Sequence, residues 1–136
     1  MSPSAPAPGA AVVLIVDDCA VNRALVQATL RGEGYRILQA VDGLSGLSAA
    51  LQDKPDLLIV DMMMPGMSGG DLIRRLREKP GAALPRTLLL TALSEQEGRA
   101  AAAQVGADAS LTKPCPPATL RALVREMLAA AMNSRI

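Results

Sequence analysis

The sequence predicts an α/β fold, a doubly wound parallel sheet of five strands with helices on both faces. Three observations carry this. From Ala11 onward, five short apolar segments alternate with five helix-like ones. The strand segments are apolar on both faces, as strands buried between two helix layers must be. Four of them run straight into polar residues: the Asp17-Asp18 pair, Asp61, Thr91 and Lys113. In an open parallel sheet the carboxyl ends of the strands share one edge, where ligands bind, so these remote residues should converge.

The strand candidates are Val12–Val16, Tyr35–Ala40, Leu57–Val60, Arg86–Leu90 and Ala109–Thr112. Val21, Leu25 and Ala28 recur at helical spacing, with Gly32 or Gly34 to end the first helix. Leu44, Leu47 and Leu51 mark the second, which Pro55 stops. Leu72 and Leu76 mark the third, followed by Pro80-Gly81. The fourth, Ser94 to Val105, opens with a capping-box pattern, Ser94 then Glu97, and offers Gly98 and a run of four alanines. With little to anchor it, it is expected to be the least stable helix, because packing supplies most helical stability. The plainer reading is a small-residue helix lying close to the sheet. Leu120, Leu123, Val124, Met127 and Leu128 form a well-developed stripe on the last helix. The Pro/Ala/Ser-rich start, residues 1–10, is expected to be a disordered tail or linker. One domain is expected over 11–132, with 133–136 as a tail.

A length of 136 residues suits one domain. Half the residues are hydrophobic, but Tyr35 is the only aromatic and there is no His. That excludes a His-based triad, a His metal ligand and a His pH switch. Fourteen basic and 13 acidic residues leave a net charge of +1, with no basic excess for nucleic acid. Arg74, Arg75 and Arg77 read as a solvated helix face. Cys19 and Cys115 have no CxxC spacing, so a disulfide framework is not expected and the chain reads as cytoplasmic. The apolar run from Ala10 to Val16 is far too short to span a bilayer, and no signal-peptide pattern is present.

Each strand-end residue has two readings. Asp17-Asp18 can ligate a hard cation such as Mg²⁺, which relieves their repulsion, or cap the following helix. Asp61 can act as a nucleophile toward phosphorus or form a turn. Lys113 can offer a point charge to phosphate or be a surface residue before a proline. Thr91 can donate to a phosphoryl oxygen or merely finish a β-branched strand. Spacing favours convergence: 30 residues separate Asp61 from Thr91 and 22 separate Thr91 from Lys113, one strand-helix-strand repeat each.

With VDD at 16–18, DMMMPGMSG at 61–69, TA at 91–92 and KP at 113–114, the chain resembles the receiver domain of two-component response regulators. The likeness runs from Ala11 to about Met132, and DDCAVNR at 17–23 is similar to receivers attached to hybrid histidine kinases. The resemblance implies a flavodoxin-like (βα)5 sheet of strand order 2-1-3-4-5. It implies that Asp61 accepts a phosphoryl group from a histidine kinase or a histidine phosphotransfer protein. Asp18, Asp61 and the backbone carbonyl of Met63 would hold Mg²⁺, with Asp17 at or just behind that shell. Lys113 would pair with the phosphoryl oxygens, Thr91 would hydrogen-bond one of them, and Ala92 would stand beside it. Lys113–Pro114 would be cis. Such a module catalyses only its own phosphorylation and dephosphorylation. After Lys113 only one helix and a short tail remain, so output is expected through protein contacts of the helix 4–strand 5–helix 5 face, as a monomer or weak homodimer.

Four positions stand out against the family pattern. Ser110 stands where many receivers carry Tyr or Phe, so output is expected through backbone and helix shifts rather than an aromatic rotor. Cys115 stands where Phe is common. Met63 and Leu93, two residues after Asp61 and Thr91, are apolar, and slow loss of the phosphoryl group is expected. Two rival readings exist. An aspartyl phosphatase would want an acid at Met63; a pseudo-receiver scaffold would have no need of the complete set of acids, hydroxyl and amine.

Overall fold

The computed structural model describes residues 9–79, 81 and 84–133. The chain order is β1 (Val12–Val16), α1 (Ala20–Leu30), β2 (Arg36–Ala40), α2 (Gly43–Asp53), β3 (Leu57–Asp61), α3 (Gly69–Arg77), β4 (Arg86–Thr91), α4 (Glu95–Val105), β5 (Ala109–Thr112) and α5 (Pro117–Asn133). All neighbouring strands pair in parallel, in the order β2-β1-β3-β4-β5. The predicted sheet is therefore the one observed. Residues 1–8 of the expected tail, Pro80 and residues 134–136 lie outside the described residues. Asn133 belongs to α5, one residue beyond the expected end of the domain.

Strand alternation sorts the core into two layers. Val13, Ile15, Leu57, Ile59, Leu88 and Leu90 face Val26 and Leu30 of α1 and Leu120, Val124, Met127 and Leu128 of α5. Leu14, Val16, Leu58, Val60 and Leu89 face Ala50 of α2, Leu72, Ile73 and Leu76 of α3, and Ala102 of α4. The stripes predicted for α3 and α5 are the ones buried.

The first two helices turn other faces to the sheet than expected. On α1, Val21 and Leu25 are 66% and 61% exposed, and Ala28 is exposed as well, while Val26 and Leu30 are buried. On α2, Leu44 is exposed, Leu47 and Leu51 are half-buried, and the buried positions are Gly43, Gly46 and Ala50. The reason on α2 is closeness. A Cβ on Gly46 would come 2.9 Å from Val16, and one on Gly43 would come 2.5 Å from Met67. Leucine on that face would hold the helix off the sheet.

The helix ends are closed by local hydrogen bonds. Asp42 caps α2 and Ser68 caps α3, each in a reciprocal capping box. Ser94 caps α4 by accepting from the Glu97 amide at 3.2 Å, and its hydroxyl donates to the Glu97 carboxylate at 2.8 Å. Gly106, at φ 84, ends α4 in the left-handed region that glycine tolerates. Among the described residues no helix is long and apolar enough to cross a membrane.

Candidate functional site

Register and alternation decide which strand-end side chains meet. Val16 pairs with Val60, so Asp17 and Asp61 are both the next residues along the edge and point to the same side as Ile15 and Ile59. Asp61 pairs with Leu90 and Thr91 with Thr112. Lys113, one step beyond Thr112, therefore returns to the side of the acids. Thr91 has the parity of Leu89 and points to the α4 side.

The contacts follow that sorting. The Lys113 ammonium lies 3.1 Å from Asp61 Oδ1 and 3.4 Å from Asp17 Oδ2. Carboxylate oxygens of Asp17, Asp18 and Asp61 all lie within 4.8 Å of one another. Asp17, Asp61 and Thr91 are buried, while Asp18 is exposed at the mouth. The Lys113 side chain is 27% exposed, so this is a rim pair that water still reaches. Three carboxylates with one cation leave an excess of negative charge, and all the donors are hard oxygens. That donor set fits Mg²⁺, which takes one or two carboxylates together with phosphate and water.

The local contacts of each strand-end residue bear on its plainer reading. Asp17 and Asp18 are not helix caps: the N-cap of α1 is Cys19, and no side chain caps it. Asp17 Oδ1 instead accepts from the Cys19 amide at 2.9 Å, which fixes its carboxylate toward the pocket. Asp61 Oδ1 accepts from the Met63 amide at 3.3 Å, a weak turn contact beside the shorter one to Lys113. Lys113 is tied to two acids. Its peptide to Pro114 is cis, as the resemblance implies. Thr91 Oγ1 accepts from the Leu93 amide at 3.1 Å, and the Leu93 carbonyl accepts from Thr112 Oγ1 at 2.8 Å. Ala92 is exposed next to it, and Met63 is 71% exposed at the rim.

Two supporting residues escaped the sequence reading although both lie inside quoted motifs. The Arg23 guanidinium donates to the Asp17 carbonyl at 2.7 Å and to Gln39 at 3.1 Å, bracing the β1–α1 turn. A Cβ on Gly69 would stand 2.5 Å from the Asp61 carbonyl, so only glycine lets the start of α3 pass under the end of β3. The Cys115 thiol, partly buried behind Pro114, is pushed up from its ordinary value by burial.

An open parallel sheet with three acids and a lysine converging at its carboxyl edge defines an α/β module whose acidic cluster could hold a metal ion. The match to known proteins makes this specific: residues 13–125 fit the response regulator receiver domain, and the chain belongs to that family, which works in two-component signal transduction. It is 37% identical over 115 residues to response regulator PleD of Caulobacter vibrioides, covering 85% of this chain and 25% of that protein. It is 46% identical over 103 residues to the probable transcriptional regulatory protein TcrX of Mycobacterium tuberculosis, covering 75% and 43%. The chain thus spans less than half the length of these relatives. Among solved structures, the signal receiver domain of a putative Luxo repressor protein from Vibrio parahaemolyticus superposes with a TM-score of 0.85 at 25% identity, covering 93% and 95% of the two chains. Chemotaxis protein CheY4 of Vibrio cholerae does so with a TM-score of 0.78 at 32% identity, covering 87% and 98%.

Proposed function

We propose that Asp61 is the phosphoacceptor of this receiver and that its donor is a phosphohistidine on a histidine kinase or a histidine phosphotransfer protein. The observation that carries the reading is the Lys113 ammonium set between Asp61 and Asp17, at 3.1 Å and 3.4 Å, inside a cluster of three acids. A carboxylate oxygen of Asp61 attacks phosphorus. The P–N bond breaks, and its electron pair leaves with the imidazole. Phosphoryl transfer of this kind needs alignment and charge neutralisation more than covalent help from the protein. Lys113 supplies a fixed positive charge to the phosphoryl oxygens, and Thr91 donates its hydroxyl to one of them, with Ala92 alongside. Asp18, Asp61 and the Met63 carbonyl are the groups that would hold Mg²⁺, with Asp17 just behind them. The cation would neutralise charge on the transferring group.

The product, an acyl phosphate, adds about −1.5 to −2 charges at the pocket, on the scale of a phosphoserine. That charge biases the loop between β4 and α4, and the α4–β5–α5 face is the surface that a downstream protein reads. A cytoplasmic site of action and a single functional unit over 11–132 complete the reading. Met63 and Leu93 offer no group to orient an attacking water, so the phospho-form is long-lived. Met63→Asn and Leu93→Glu should each shorten its lifetime. An unchanged decay rate would remove that part of the proposal. The same apolar Met63 disfavours an aspartyl phosphatase, which wants an acid there.

The test is intact-mass spectrometry after treatment with acetyl phosphate and Mg²⁺. The wild-type chain should gain one phosphoryl group and Asp61→Asn none. Equal labelling of the two would dismiss Asp61 as acceptor.

A further inference from the structure

Gly98 lies in the first turns of α4 and is buried. A Cβ built on it would stand 3.2 Å from the Cγ2 methyl of Thr91 and 3.4 Å from Oγ of Ser110. The helix backbone therefore rests directly on these two side chains. Strand alternation explains the meeting: Ser110 pairs with Leu89, and Thr91 follows Leu89 by two residues, so both point to the α4 side of the sheet. Along the edge, Thr91 stands one residue past Leu90, the partner of Asp61. It is 1% exposed and linked to the start of α4 through its bond from the Leu93 amide.

Thr91 is β-branched, so its methyl and hydroxyl share one torsion. The hydroxyl cannot turn without carrying the methyl, and the methyl lies against α4. Glycine weakens a helix interior relative to alanine. Yet α4 is alanine from Ala100 to Ala103, and its other buried position, Ala102, has room for a Cβ. Glycine stands where Thr91 lies beneath. We infer that Gly98 is a positioning residue for Thr91: the absent Cβ leaves the space its methyl occupies, and the contact passes the Thr91 rotamer to the α4 backbone without any intervening side chain. The inference rests on the reading of Asp61 as phosphoacceptor and Thr91 as donor to its phosphoryl group.

The experiment is a double-mutant cycle of Gly98→Ala and Thr91→Ser, since serine keeps the hydroxyl and drops the methyl. Beryllofluoride with Mg²⁺ is titrated as the phosphoryl mimic and followed by amide NMR in the pocket and along α4. In the wild type both sets of amides should shift. Gly98→Ala should weaken binding by about threefold to tenfold, the cost of forcing a side chain off its rotamer. Adding Thr91→Ser should remove that loss, so that the double variant binds like Thr91→Ser alone. A purely structural effect of the alanine would not be rescued this way. Additive effects, or wild-type affinity and an unchanged α4 response in Gly98→Ala, would overturn the inference. Acetyl phosphate labelling of the same four proteins separates the two levels. Labelling of Asp61 in all four with an additive cycle removes only the role of Gly98. No labelling in the wild type removes the pocket reading and this inference together.

Discussion

Helices α5 and α4 cover the same end of the sheet from opposite faces, and they are held by different means. Helix α5 buries Leu120, Val124, Met127 and Leu128. Helix α4 buries Gly98 and Ala102. Fully burying one large aliphatic side chain is worth about 1.5–3 kcal/mol, so α5 is anchored by several such terms and α4 by close approach with little area. What keeps α4 helical is local: Ser94 at one end and Gly106 at the other. A helix closed by its own caps and lightly attached can shift as a unit. The site is divided along the same line. Asp17, Asp61 and Lys113 point to the side of α1 and α5, and Thr91 and Ser110 to the side of α4. The fold sets the acids and the lysine beside the firm face and Thr91 beside the loose one, and under the proposed function a local charge event would bias the movable element.

The largest effect should come from α5. Leu120→Ala should cost about 2–5 kcal/mol in urea unfolding, whereas Ala102→Gly in α4 should cost only about 1 kcal/mol. Equal losses would break the contrast. Native-state hydrogen exchange should place α4 amides among the lower-energy local openings and α5 core amides near the global value. Indistinguishable protection of the two helices would show that close approach anchors as well as area does. Ser94→Ala should then cost about 1 kcal/mol, read as faster exchange confined to α4.

The strands, the sheet and the pocket were legible because the signals were strong and mutually consistent. Runs such as Leu57–Val60 have no face to choose, and a polar residue at each carboxyl end can go only to one edge. The buried faces of α1 and α2 were not legible, for a physical reason. Periodicity counts large apolar residues, and on α2 the buried residues are the small Gly43, Gly46 and Ala50, of which Gly43 lies close to Met67 and Gly46 to Val16. On α1 apolar residues lie on both sides, and the orientation follows from the Asp17–Cys19 turn braced by Arg23. Gly98 was noted as a weakness in α4. Only its distance from Thr91 shows a second meaning.

The smallest effect concerns acid and again divides the faces. Asp42 is held below the usual aspartate range, chiefly by the Ser45 amide and then by the Ser45 hydroxyl. Asp71 is held low by the Ser68 amide first and its side chain second. A carboxyl whose folded value is depressed stabilises the fold above its unfolded value, about 3.9, and loses that contribution as pH falls through the folded value. Both groups sit at the surface, so the effect on global stability is small and its local trace is what matters. Acid titration followed by amide NMR should loosen the starts of α2 and α3 as these caps protonate. The start of α1, which has no side-chain cap and no acid in its first turn, should not respond in that way. A matching transition at α1 would mean that acid loosens both faces of the sheet alike, and the contrast between them would be lost.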